Sequence, residues 1–245
     1  MAVLALERWR PLRRRVEPAR VRQPRNVAVA LLGALAVQLV EAPVVEPIAR
    51  RVDERHLGVV PSLRLPRVVE SLVALVLLDY TLYIWHVLTH RVPALWRFHR
   101  VHHVDLDLDA STAVRFHFGE LSLSTPWRAA QVRWIGVRPE VLHLWQQLLL
   151  ASIVFHHSNV RLPSRLERLL AWVIVTPRLH GIHHSSRAEE MNSNWSSGLS
   201  LWDRLHRTFV SDVPQDAIRI GVDGYDTPSD VTLPRLVTMP FERAH

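Results

Sequence analysis

The chain has 245 residues and 28.2 kDa, is 48% hydrophobic and holds only 8 Gly, which excludes a disordered or collagen-like polymer and points to one sizeable folded domain. It has no Cys, so disulfides, thiolate nucleophiles, Cys-ligated zinc and protein-held iron–sulfur clusters are excluded, and any metal chemistry must use nitrogen and oxygen donors. The 30 basic residues, every one of them Arg, outnumber 23 acidic ones for a net charge of +7, and 15 His nearly equal the 16 Pro.

Residues 1–26 hold a dense share of that positive charge: Arg8, Arg10, Arg13, Arg14, Arg15, Arg20, Arg22 and Arg25 all precede the first apolar run. A basic block directly before an apolar segment reads as a cytoplasmic anchor facing anionic lipid, rather than as a nucleic-acid surface. Val27 to Val45 is about 19 residues long, close to the ~20 that cross a bilayer, and is interrupted by Gln38, Glu41 and Pro43. A signal peptide fits less well, because no small-residue cleavage site follows. Val68 to His90 is the second apolar run, with Glu70 near its start, Asp79 inside it and Trp85, His86 and His90 at its end. Two further runs, Leu121 to Ile135 and Val141 to Phe155, are separated by the turn signals Gly136 and Pro139 and read as a hairpin.

With the Arg-rich end in the cytoplasm, both hairpins return the chain to the same side, at His86–His103 and again at His156. The expected fold is an all-α integral membrane bundle of about four transmembrane helices in two hairpins, residues 27–210, under a His-rich cytoplasmic cap. A mean hydropathy of only +0.05 requires a substantial soluble portion, and a wholly soluble helical protein is the competing reading. Ser164-Arg-Leu-Glu167 has the capping-box pattern and opens a segment with Leu166, Leu169, Leu170 and Val173 at helical spacing, suited to an interfacial or core-packed helix. Residues 211–245 read as a cytoplasmic tail to which the sequence assigns no role.

Twelve of the 15 His fall between His86 and His184. His-x-x-His-His occurs twice, as His99-Arg-Val-His102-His103 and as His180-Gly-Ile-His183-His184. On a helix each triplet presents three imidazoles to one patch, and one such triplet arises by chance only about 0.05 times in a chain of this composition. His86-x3-His90 adds two more imidazoles at the end of the second apolar run, His156-His157 follows the last one, and His117 stands alone between clusters. Isolated His56, His143, His206 and His245 read as surface or satisfied core residues. Eight clustered imidazoles without a metal would leave polar nitrogens unpaired, and their number exceeds what one ion accepts, so two metals sharing the set is the expectation.

In chain order, Asp79-Tyr-Thr-Leu-Tyr-Ile-Trp-His86-x3-His90, Leu95-Trp96-Arg-Phe-His99-x2-His102-His103, Thr112-Ala-Val-Arg115-Phe-His117-x2-Glu120, Phe155-His-His157-Ser-Asn159, His180-x2-His183-His184 and Trp202-Asp203 resemble the sterol desaturase and fatty acid hydroxylase superfamily. The resemblance implies a membrane-embedded helical enzyme with a cytoplasmic di-iron site that activates O2 to oxidise an unactivated C–H bond of a lipid. Carried residue by residue, it puts His86, His90, His99, His102, His103, His180, His183 and His184 on the two irons, with His157 and His117 as further ligands. One division places His86, His99, His102, His180 and His183 about one iron and His90, His103, His157 and His184 about the other. It also makes Asn194 a holder of metal-bound water, while Asp79, costly in a membrane helix, is expected to back an iron-ligating His. Val87, Val104 and His206-Arg207 depart from the family pattern without touching a proposed ligand.

That chemistry hydroxylates or desaturates a sterol-like, fatty acyl or related lipid in lipid biosynthesis and consumes two electrons. The chain has neither Cys for a cluster nor a Gly-rich dinucleotide fingerprint, so a separate donor is expected, a ferredoxin or a cytochrome b5-type protein. Arg91, Arg97, Arg100, Arg178 and Arg187 would suit an acidic donor. The expected location is the bacterial inner membrane with the site facing the cytoplasm. The alternatives are a His-rich membrane metal-binding or transport protein, whose ligands would instead line a path near mid-membrane, and a soluble metallohydrolase, which would want carboxylate ligands.

Overall fold

The computed structural model describes residues 2–242, and His245 lies outside them. It is all-helical; among the described residues the only extended pairings are single bridges, Pro11 with Val160, Ile174 with Leu199 and Ser185 with Ile220. A short helix α1 (Ala2–Trp9) precedes α2 (Ala19–Ala36), which continues through a widened π turn at Val37–Glu41 into α3 (Ala42–Arg55). Pro43 cannot donate to the carbonyl of Leu39 and its ring crowds that group, and the helix widens just before it, with the Ala42 amide donating to the Val37 carbonyl. A single turn, α4 (Val59–Ser62), reverses the chain into α5 (Arg67–Arg91). The stretches Ala19–Ser62 and Arg67–Arg91 are each long and apolar enough to cross a membrane.

After α6 (Pro93–His103), a second hairpin is made by α7 (Phe118–Gln131), its terminal π turn Val132–Gly136, and α8 (Pro139–His157). The two hairpins close on a core of Val45 and Ala49 from α3, Ala74 and Leu78 from α5, Val132 and Ile135 from the π turn, and Leu142 and Trp145 from α8. The bend at Gly136 needs glycine. Its φ is +88°, and a Cβ there would lie 2.6 Å from the Leu57 carbonyl oxygen. Gly136→Ala is therefore expected to cost roughly 1–3 kcal/mol of stability, read as a lower thermal midpoint of the detergent-solubilised chain; an unchanged midpoint would show that the turn is not strained.

The N-terminal arginines depart from the expected lipid-facing anchor. Arg22 is fully buried and pairs with Asp105 at 2.8 Å and with Asp109; Arg25 pairs with Glu17 at 2.5 Å; and Arg115, also fully buried, pairs with Asp105 at 2.9 Å. Arg13 donates to the Gln215 side chain at 2.6 Å and to the Pro177 carbonyl at 3.3 Å. Asp105, Asp107 and Asp109 surround Arg22, and Asp105 also takes Arg115, so Arg13, Arg22 and Arg25 are folded into the protein while Arg8, Arg10, Arg14 and Arg20 stay exposed. The segment after residue 210 is likewise part of the fold: Val231, Leu236 and Met239 are fully buried against Val29, Val101 and Val104.

Five short helices complete the cap: α9 (Ser164–Leu170), α10 (Pro177–His183), α11 (Ala188–Met191), α12 (Leu201–Leu205) and α13 (Leu233–Thr238). The expected capping box at Ser164 does not form. Pro163 takes the cap position, and the Glu167 carboxylate accepts instead from the Thr176 hydroxyl. None of the α9 side chains is buried, which leaves the interfacial reading of that helix.

Candidate metal centre

Local sequence determines how the histidines meet. Pro93 disfavours helical backbone at Val92, which is extended (φ −95°, ψ 113°), so α5 stops at Arg91 and Pro93 opens α6 in its first turn. The sharp corner folds His99 and His103 back onto His86 and His90; the rings of His90 and His103 are 4.8 Å apart. Thr176 caps α10 by accepting from the Leu179 amide, and Pro177 starts that helix, which carries the second triplet.

Two groups of imidazoles result: His86, His90, His99, His103 and His183 in one, and His102, His157, His180 and His184 in the other. Each His-x-x-His-His motif serves both. The first gives its i and i+4 members to one group and its i+3 member to the other; the second motif does the reverse. At 3.6 residues per turn, i+4 lies about 40° ahead of i and i+3 about 60° behind, so a triplet fans over roughly 100°, enough to address two neighbouring ions. This differs from the division drawn from the resemblance, which put His102 and His183 about the same ion.

Backbone carbonyls fix the rings. His86 Nδ1 is 2.6 Å from the Trp195 carbonyl oxygen and His183 Nδ1 is 2.9 Å from that of Ser193. A carbonyl only accepts, so both Nδ1 atoms donate and both Nε2 atoms present bare lone pairs, yet these Nε2 atoms are 3.1 Å apart. His157 Nδ1 likewise donates to the Ile153 carbonyl at 2.7 Å, which leaves its Nε2 a bare lone pair 3.0 Å from the Nε2 atoms of both His102 and His180. Facing lone pairs repel unless a cation lies between them, and nitrogen donors about 2.1 Å from one ion and at right angles are about 3.0 Å apart. Nε2 of His90, Nε2 of His99 and both nitrogens of His103 are buried without a partner.

Burial, reinforced by the neighbouring imidazoles, holds His102, His103, His180 and His184 well below the ordinary imidazole range, and burial pushes His183 down to about 3. These rings are neutral ligands at physiological pH. The donor set fits metal ions, and all-imidazole sites of this kind suit Fe, Zn, Cu or Ni.

The remaining expected site residues fall elsewhere. His117 lies outside both groups: its Nδ1 accepts from the Gly119 amide at 2.9 Å and caps α7. Asn194 is engaged with backbone: its amide donates to the Leu179 and Val210 carbonyls and its oxygen accepts from the Val210 amide. With φ +50°, it shapes the turn whose carbonyls at Ser193 and Trp195 hold His183 and His86. Asp79 backs no histidine; it accepts from Trp202 Nε1 at 2.7 Å and from the Leu199 amide at 3.0 Å, tying α12 to α5. His156 is buried with neither ring nitrogen bonded, its ring 4.1 Å from that of His180, but it belongs to neither group.

Two supporting residues were quoted in the motifs without being assigned a role. Buried Glu120 accepts from His99 Nδ1 at 2.7 Å, the carboxylate that orients a ligand and raises its basicity. Asp203 accepts from the Trp195 and Ser196 amides and from the Thr208 hydroxyl, bracing the carbonyl turn. Replacing Glu120 by Ala is expected to weaken metal binding 10–100-fold, as ~1–3 kcal/mol, with Gln retaining more because its amide oxygen still accepts from Nδ1. Competition with a chelator measures this; equal metal retention in all three proteins would remove Glu120 from the centre.

The sequence model of the fatty acid hydroxylase family matches residues 71–208, which contain both groups and Glu120. Ornithine lipid hydroxylase OlsE of Rhizobium tropici is 31% identical over 160 residues, 65% of this chain and 47% of that protein. The cholesterol 25-hydroxylase-like protein of Danio rerio is 33% identical over 147 residues, 58% of this chain and 56% of its own length, and alkylglycerol monooxygenase of Xenopus tropicalis is 29% identical over 133 residues, 54% and 28% respectively. The chain thus spans between about a quarter and just over half of these relatives, and no solved structure matches it. The match over residues 71–208, more than half of the chain, carries every one of the nine clustered histidines, and with it the chain belongs to the fatty acid hydroxylase family.

Proposed function

We propose that this protein is a membrane-bound lipid oxygenase that uses O2 and two electrons to hydroxylate or desaturate an unactivated C–H position. The observation that carries the reading is the pair of buried all-imidazole groups, with the bare Nε2 lone pairs of His86 and His183 facing each other in the first and that of His157 facing His102 and His180 in the second. His86, His90, His99, His103 and His183 would hold one iron, and His102, His157, His180 and His184 the other. Bound iron would supply the O2 chemistry, and relatives named as hydroxylases and a monooxygenase support a redox-active metal over zinc.

The chain's own residues supply the rest. The Ser193 and Trp195 carbonyls and Glu120 hold the Nδ1 protons of His183, His86 and His99, so each ring keeps one tautomer and one direction. Burial of the imidazoles excludes bulk water from the reacting position. With four spans in two hairpins, the centre lies at the cytoplasmic ends of α5 and α8, in a bacterial inner membrane, where a ferredoxin or cytochrome b5-type donor delivers electrons.

The test is incubation of iron-loaded protein with bacterial lipid extract, a ferredoxin and its reductase, and isotopically heavy O2. Label in a lipid hydroxyl group is expected; loss of two hydrogens without label would assign desaturation, and lipids unchanged despite full iron loading would overturn the oxygenase reading.

A further inference from the structure

Away from the histidines, a cleft of about 1360 Å3 opens between residues 161–172, the start of α10 and residues 204–216. Arg10, Arg161, Arg168, Arg178 and Arg204 line it, and among the described residues none of the five forms an ion pair. That contrasts with the buried Arg22, Arg25 and Arg115, which all find carboxylates. The guanidinium contacts in the cleft go to neutral groups: Arg161 to the Pro11 and Leu12 carbonyls, Arg178 to that of Val213, and Arg204 to that of Ala171 and over the Trp172 and Phe209 rings. Of the three carboxylates present, Glu167 is engaged with Thr176 and Asp212 and Asp216 face solvent, so the cleft keeps a positive excess.

One rim is apolar and uncovered. Trp172 is 67% exposed in the turn after α9, and Val173 next to it, Leu169 on α9, and Leu201 and Leu205 on α12 are exposed as well. The height of this rim is set by the Trp202–Asp79 hydrogen bond, which joins α12 to α5. On α5 the exposed large apolar side chains, Val68, Val69, Leu72 and Val76, all precede Asp79. The rim therefore sits where the exposed apolar stretch of α5 ends, with the arginine cleft opening next to it.

We propose that this cleft binds the anionic headgroup of a membrane phospholipid. The planar guanidinium forks of Arg168 and Arg178 match phosphate oxygens, while Trp172 and Leu169 cover the first acyl carbons. The proposal stands on the cleft and the membrane fold alone, so it survives failure of the oxygenase reading.

Native mass spectrometry of the delipidated full chain in neutral detergent tests it, with equal amounts of phosphatidylglycerol and phosphatidylcholine of different acyl mass. The expected result is one retained phosphatidylglycerol and no phosphatidylcholine. Arg10→Gln/Arg168→Gln removes two exposed side chains that carry no hydrogen bond and should weaken retention roughly tenfold to thirtyfold. Arg50→Gln/Arg51→Gln, which removes the same charge on α3, should change nothing. Equal retention of both lipids, or equal loss in both variants, overturns the proposal. Displacement by inorganic phosphate at matching concentration would reduce the cleft to a free-anion site, and capture of an acidic ferredoxin with no lipid would reassign it to a protein partner; both overturn the headgroup assignment.

Discussion

His183→Ala and His102→Ala should each leave about one of two irons bound, and the double variant should bind none. His183 belongs to the five-imidazole group and His102 to the four-imidazole group, so each single change removes one ligand from a different ion. Truncation also leaves the facing nitrogens, His86 Nε2 opposite His183 and His157 Nε2 opposite His102, without their neighbour. The loss compounds the missing metal–nitrogen bond with a site open to water, and for a group of four it leaves three ligands. Metal content by mass spectrometry after anaerobic iron loading reads the outcome. The division drawn from the resemblance predicts something different, since it puts both residues about one ion; a double variant that keeps one full iron would sink the grouping seen in the structure.

Asp105→Ala should lower the thermal midpoint by roughly 6–20 °C, the equivalent of about 3–5 kcal/mol for a chain of this size. Asp105 is fully buried and accepts from Arg22, Asn26 and Thr112 while pairing with Arg115. Burial alone would raise its carboxyl, but the Arg22 and Arg115 guanidiniums and the two hydrogen bonds hold it well below the usual carboxylate range. Removing it leaves two guanidiniums buried with one fewer counter-charge, and this uncompensated charge, more than the lost contacts, is what destabilises. Asp105 also ties α2 to the segment that follows His103, so iron content should fall with the midpoint. Arg50→Ala, at an exposed pair with Glu46 3.6 Å apart, is the control and should move the midpoint by less than ~4 °C. An Asp105→Ala shift no larger than the control would show that the network is not holding the cap.

Much of the helical frame was legible along the chain, because its signals are local. Pro93 stops α5 and starts α6, Gly136 and Pro139 turn the second hairpin, and the apolar runs near Val27 and Val68 lie within the two stretches able to cross a membrane. The paired His-x-x-His-His motifs hold six of the nine clustered histidines and pointed to the family, since helical spacing already gathers three imidazoles on one side of a helix; His86-x3-His90 and His157 supply the other three.

Where those side chains go was decided only in three dimensions. Each triplet fans over about 100°, so which members share an ion depends on where α5, α8 and α10 stand, not on spacing. His117, suggestive in its motif, is turned to the start of α7, where an unpaired amide needs an acceptor. Asn194 and Asp203 act on backbone rather than on metal, through a turn whose carbonyl directions no residue pattern encodes. Arg22 carries a charge that composition reveals and a destination that it does not: its carboxylate partners at Asp105 and Asp109 are more than 80 residues away in sequence. Periodicity and turn chemistry act over a few residues and survive in the sequence; burial of charge is settled by whichever opposite charge the folded chain brings within reach.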